Sequence, residues 1–318
     1  MSSIIQISNL TLLHQNRAII DDLTFSVEEG DIFGLVGPNG SGKTSLIRSM
    51  TTLLAPTQGE VLIDGHSVKT APGLVRKVMG YVPESCGFYP DMTAWEYLDL
   101  FGACYKIHYR ERVELISTLF ELVDLSNHKD AQVEDLSLGM KQRLSIARAL
   151  LHDPKVLILD NALSGLDANT RVDFQELFSE LAQMGKTIFL SSHIFSDITR
   201  ICNHIGIMDA GKLVLYGSIR DLKRQIDLPR TIRINLLGQP KNIRALLERN
   251  PYVSDISIVE VGPEDTHTAI QMKFSGDDEK VSELLTVLIR LGIQVLNFEV
   301  DANELEDIFS HITKGTFS

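Results

Sequence analysis

Residues 37–44 read Gly-Pro-Asn-Gly-Ser-Gly-Lys-Thr, and no other stretch of the chain restricts the fold as strongly. The segment follows an apolar run, Ile32 to Val36, and precedes a helical pattern through Leu46, Ile47 and Met50. A G-x-x-x-x-G-K-[ST] sequence between a strand and a helix is a phosphate-binding loop. Its glycines let backbone N–H groups turn inward as an anion nest, and the helix N-terminus adds positive potential. Lys43 is expected on the β- and γ-phosphates, and Thr44 supplies an oxygen to Mg²⁺. The expected contact set is Gly37, Pro38, Asn39, Gly40, Ser41, Gly42, Lys43, Thr44 and Ser45. A purely structural glycine turn is the bland reading. Eight matched positions in the required context count against it. The loop predicts a nucleoside triphosphate with Mg²⁺ and says nothing of its use.

Around the loop, strand and helix patterns alternate. Ile5 and Ile7, then Leu23, Phe25 and Val27, alternate as in half-buried strands. The run from Val61 to His66 reads as a strand entering a hairpin turn. From about Asp91 to Asp135 the pattern is helical, with Asp91 or Thr93 as the candidate cap. Trp95, Leu98 and Phe101 share one face there, and Val113, Ile116 and Phe120 another. Two buried strands, Val156 to Leu159 and Thr187 to Leu190, flank an amphipathic helix from Val172 to Met184 that ends at Gly185. Such alternation implies a mainly parallel sheet. Lys, Arg, Gln and Asp cluster between Leu222 and Arg230, marking a boundary before a second unit. That unit reads strand, helix, two strands, helix, strand, a βαββαβ order of ferredoxin-like type, with a last helix from Leu305 to Ile312. The expected domains are therefore 1–222, with a helical subdomain at about 88–140, and 230–318.

The formal net charge is −12 over 318 residues. A nucleic-acid-binding body wants a basic face, so no nucleic-acid partner is expected. Adhesion to anionic lipid is disfavoured for the same reason, and any membrane contact would need a protein docking surface. The three cysteines, Cys86, Cys104 and Cys202, lack metal-ligand spacing and read as free thiols in a reducing compartment. The first residues carry no basic or long apolar segment, so no signal peptide is expected. No apolar stretch approaches the ~18–20 residues that span a bilayer. The expected location is cytoplasmic unless a partner recruits the chain.

Residues 136–143, Leu-Ser-Leu-Gly-Met-Lys-Gln-Arg, resemble the signature of the ABC ATPase family, with Ser137 and Gly139 matching and Leu138 and Met140 departing. The resemblance implies a P-loop α/β core with an antiparallel β-subdomain and a helical subdomain. It also implies that Ser137 faces the γ-phosphate bound by the opposite subunit. Other elements fall in register. Asp160 ends an apolar strand and resembles the Mg²⁺-orienting carboxylate. Glu84, in Tyr81-Val82-Pro83-Glu84, stands where the family usually has Gln, and by resemblance touches Mg²⁺ or the attacking water. Leu163 to Asp167 resembles the interface loop, and His193 the switch histidine on the γ-phosphate. His14 stands where an adenine-stacking aromatic is usual. The resemblance covers residues 4 to about 220, and the second unit is similar to the small α+β domain appended to ATPases of ABC-2-type exporters.

One departure bears on the chemistry. The family usually has Glu after the Mg²⁺-orienting Asp, and this chain has Asn161 followed by Ala162. An amide can orient water but cannot take its proton. Loss of a positioned base costs ~10²–10⁴ in rate. The resemblance thus implies a subunit that dimerises around MgATP, as homodimer or heterodimer, and drives a separate transmembrane permease with slow hydrolysis. Glu84 is an alternative base, though its expected position suits that role poorly; otherwise Asn161→Glu is expected to raise turnover strongly. Trp95, Tyr97 and Phe101 are the candidate permease contacts, with core packing the expected role of at least one of them. A regulatory or non-transport ABC ATPase with weak hydrolysis is the alternative.

Overall fold

The computed structural model describes residues 3–225, 230–238, 240, 242–260 and 267–301. The chain divides into two compact units after Ile219.

The first unit holds two sheets. In the antiparallel one the order is Arg17–Glu28, Ser3–His14, Gln58–Ile63, His66–Ser67. The six-stranded sheet runs Lys212–Ser218, His204–Asp209, Ile32–Val36, Thr187–Ser192, Val156–Leu159, Met79–Val82. Every pair in it is parallel except the Lys212–Ser218 edge. Parallel strands are covered on both faces, which is why Ile32–Val36 and Val156–Leu159 are apolar and buried at every position. The sheets meet through stacked rings: Phe25 lies 5.3 Å from Phe33, which lies 5.2 Å from Phe189. This core fixes the ends of the central strands, where the loops that carry chemistry emerge.

The helical subdomain begins with Ala94–Cys104. Thr93, not Asp91, closes its N-terminus: the Thr93 hydroxyl accepts from the Glu96 N–H while the Glu96 carboxylate accepts from the Thr93 N–H. This start sets the buried stripe at Ala94, Tyr97, Leu98 and Gly102. Tyr97 is fully buried, and its hydroxyl accepts from Arg148 at 2.9 Å. It is a core residue, so its expected role as a docking contact is withdrawn. Trp95 and Phe101 are half-buried. Tyr109–Leu122 follows, then Leu138–Leu150.

The second unit has the strand order Val253–Glu260, His267–Phe274, Arg230–Leu237, Val295–Asp301, all antiparallel. Helices Ile243–Glu248 and Asp278–Arg290 supply the remaining elements of a βαββαβ chain. Alternate residues Ile232, Ile234 and Leu236 face Leu284 and Leu288 in its core. The helix expected at residues 305–312 lies outside the described residues. Among the described residues no helix is long and apolar enough to cross a membrane.

Candidate functional site

The loop after Ile32–Val36 turns back on itself before Lys43–Met50 begins. Two glycines make that possible. Gly42 caps the helix at φ +103°, a backbone state that side chains disfavour. At Gly37 a Cβ would lie 2.1 Å from the Met208 carbonyl oxygen. The compact loop brings the Lys43 ammonium onto the carbonyls of Gly37 at 2.7 Å and Pro38 at 2.9 Å. Burial pushes the Lys43 pKa down, while Asp160 and Glu84 act to raise it. The ammonium is thus held over the loop, partly stripped of water, beside two carboxylates.

Asp160 leaves the end of Val156–Leu159 and is 2% exposed. Its carboxylate accepts from the Ser191 hydroxyl at 2.7 Å. Burial raises its pKa, and hydrogen bonds from Ser191 and Thr44 oppose that shift. A buried carboxylate beside a threonine hydroxyl is a hard-oxygen donor set suited to Mg²⁺. Among the described residues no group of three or more His, Cys, Asp or Glu forms a full protein cage. Mg²⁺ takes one or two carboxylates and completes its shell with phosphate and water oxygens.

Asn161 is the junction of the site. Its N–H donates to Ser191 Oγ at 3.0 Å. Its side-chain Nδ2 donates to Glu84 Oε1 at 2.5 Å, and its Oδ1 lies 3.2 Å from His193 Nδ1. An amide oxygen only accepts, so this network assigns the proton to His193 Nδ1. The Asn161 backbone sits at φ +51°, in the left-handed region that Asn tolerates better than most side chains.

These groups surround one cleft of about 270 Å³. Of the residues expected from the sequence, it is lined by Asn39, Gly40, Gly42, Lys43, Thr44, Ser45, Glu84, Asp160, Asn161 and His193. Gly37, Pro38 and Ser41 lie behind it and hold Lys43. His14 is elsewhere: it is exposed at the hairpin turn opposite Arg17 and does not line the cleft, whereas Ile19 does. Ser191 was given no role by the sequence reasoning, yet it ties Asp160 to Asn161. The only sequence signal for it is a serine pair closing the apolar strand Thr187–Ser192.

Ser137 and Gly139 line a different cleft, with Thr170 and Arg143. Ser137 caps Leu138–Leu150 by accepting from the Met140 N–H at 3.3 Å. Asp167 caps Ala168–Gln183, accepting from the N–H groups of Asn169 and Thr170 and from the Thr170 hydroxyl. The Thr170 hydroxyl and N–H hold the Asp167 pKa below the usual carboxylate value.

Over residues 20–164 the sequence matches the family model described as ABC transporter. It is 33% identical over 317 residues to the bacitracin transport ATP-binding protein BcrA of Bacillus licheniformis, covering 99% of this chain and 99% of that protein. The chain belongs to the ABC transporter family, as an ATP-binding protein. It is also 36% identical over 222 residues to the Nod factor export ATP-binding protein I of Cupriavidus metallidurans, covering 70% of this chain and 73% of that protein. A solved structure described as the ATP binding subunit of an ABC transporter superposes with a TM-score of 0.64 at 28% identity, covering 70% of this chain and 93% of that one. The P-loop α/β fold expected from residues 37–44 and 136–143 is the fold of this ABC family. Membership implies ATP binding, ATP hydrolysis and work alongside transmembrane permease components.

Proposed function

We propose that two copies of this ABC transporter ATP-binding chain, or this chain and a related one, close head-to-tail around MgATP and drive a separate transmembrane permease. The observation that carries the reading is the division of the expected contacts between two clefts. Lys43, Thr44, Asp160 and His193 line one, and Ser137 and Gly139 the other. A two-fold pair would set the second cleft of one copy against the first cleft of its partner. Leu138, at the start of the helix that Ser137 caps, is 55% exposed, an apolar residue placed for such a contact.

In the paired state Lys43 and the loop N–H groups would hold the β- and γ-phosphates. Thr44 and Asp160 would hold Mg²⁺, which when bound offsets phosphate charge. His193 would meet the γ-phosphate, and Asp167 the interface. Asn161 cannot take a proton, so unless another group of the cleft does so, turnover is expected ~10²–10⁴ below that of a site with a positioned base, about 3–5 kcal/mol of barrier. ATP binding would then perform much of the mechanical work. The bacitracin-transport and Nod-factor-export relatives support export as the direction, with cargo chosen by the permease. The site would lie at the inner face of the membrane, held there through the permease. The net charge of −12 supports a partner set without nucleic acid.

Affinity capture of the tagged chain from solubilised membranes tests this reading. Recovery of a multi-span membrane protein is expected. Recovery of soluble partners alone would favour a regulatory or non-transport ABC ATPase.

A further inference from the structure

The phosphate cleft is lined by two carboxylates, Asp160 and Glu84, and they stand in opposite conditions. Asp160 is buried and engaged by the hydroxyls of Ser191 and Thr44. Glu84 is exposed to the cleft, and one oxygen accepts from Asn161 Nδ2 at 2.5 Å. An ionised carboxylate can accept about four hydrogen bonds, so Glu84 can hold a water while keeping its amide partner. Asn161 is anchored on its far sides, by Ser191 through its N–H and by His193 through its Oδ1. The amide is therefore a fixed arm that aims the Glu84 carboxylate, on the same chain of bonds that ends at His193.

We propose that Glu84 is the group that takes the proton of the attacking water, and that Asn161 is the positioning residue for Glu84. This rests on the ATPase reading above. In the step, the water oxygen bonds the γ-phosphorus and the bond from that phosphorus to the β–γ bridging oxygen breaks. The bridging electron pair leaves with ADP. The water proton passes to the Glu84 carboxylate and from there to solvent.

The arrangement reverses the expectation for Asn161→Glu. A glutamate at 161 would set a second carboxylate where an amide now donates, and two like charges at that distance repel. Exchanging both residues, Glu84→Gln with Asn161→Glu, restores one amide and one carboxylate in contact. The left-handed backbone at Asn161 suits glutamate less well, so recovery is expected to be incomplete.

The test measures ATP affinity and single-turnover hydrolysis of the full chain with MgATP, using Lys43→Ala as the background. Glu84→Gln is expected to lower turnover by about 10²-fold or more with ATP affinity retained. Asn161→Glu alone is expected to lower turnover too, and the double exchange to exceed both single variants by about tenfold. Retained ATP affinity in each variant reports an intact fold. Lys43-dependent turnover that ignores Glu84→Gln, or a strong gain from Asn161→Glu alone, would overturn the inference while leaving the ATPase reading in place. Absence of any Lys43-dependent turnover in the native chain would overturn both.

Discussion

Around Lys43, side chains from separated segments hold one another. Glu84 bonds Asn161 across 77 positions of sequence, Ser191 bonds Asp160 across 31, and His193 meets Asn161 across 32. Around Ser137 the same kinds of residue turn inward on their own backbone. The Ser137 hydroxyl accepts from Met140, and the Asp167 carboxylate from Asn169 and Thr170. The first cleft ties the expected site residues to one another across strands, while in the second Ser137 and Asp167 stay on their own helix starts and Arg143 makes the long-range contacts, to Asp173 and to the Val123 carbonyl. The difference supports the proposed pairing, in which one copy would bind the triphosphate and a partner would supply the rest of the closed site.

The largest effect expected is that of Lys43→Ala. It removes the cation from the organised cleft, and ATP binding, followed by equilibrium titration, is expected to weaken by ~10²-fold or more. Retained affinity would break the comparison by showing that the cleft binds without its centre. Ser137→Arg comes next. It fills the second cleft, so ATP-dependent pairing seen by sedimentation should be lost while a single chain still binds ATP. Equal loss of both would mean that the two clefts are not separable. The smallest is Thr93→Ala, which breaks the capping box away from both clefts. It is expected to cost about 1 kcal/mol and lower the melting temperature of the first unit by ~2–4 °C. ATP affinity should not change.

How much of this was legible in the sequence follows from how local each feature is. The phosphate loop is eight contiguous residues, and its strand and helix flank it directly, so it could be read in full. Thr93 was legible as a candidate cap because a cap bonds groups within three residues, whereas Asp167, read only as part of the interface loop, caps Ala168–Gln183. The βαββαβ order could be read because Ile232, Ile234 and Leu236 alternate with polar neighbours on a sheet with one helix-covered face. The contact of Glu84 with Asn161 was not legible. It depends on the parallel pairing of Met79–Val82 with Val156–Leu159, which sets the two strand ends side by side. Read singly, Asn161 is a missing base. In the fold it is half of an amide–carboxylate pair. Which of Trp95, Tyr97 and Phe101 packs in the core was not legible, because the face of a helix depends on where its cap begins, and Asp91 and Thr93 were both open as caps; the buried one is Tyr97.

The central claim is that each ATP lies between Lys43 of one copy and Ser137 of another, and mixing two inactive chains tests it most directly. Lys43→Ala and Ser137→Arg chains would be combined in equal amounts, and ATP turnover compared with each alone. In a mixed pair one site carries both defects and the other carries neither. The account predicts turnover well above that of either chain alone, from the one intact site of each mixed pair. Turnover that stays at the level of the separate variants would contradict a shared site formed by two copies of this chain.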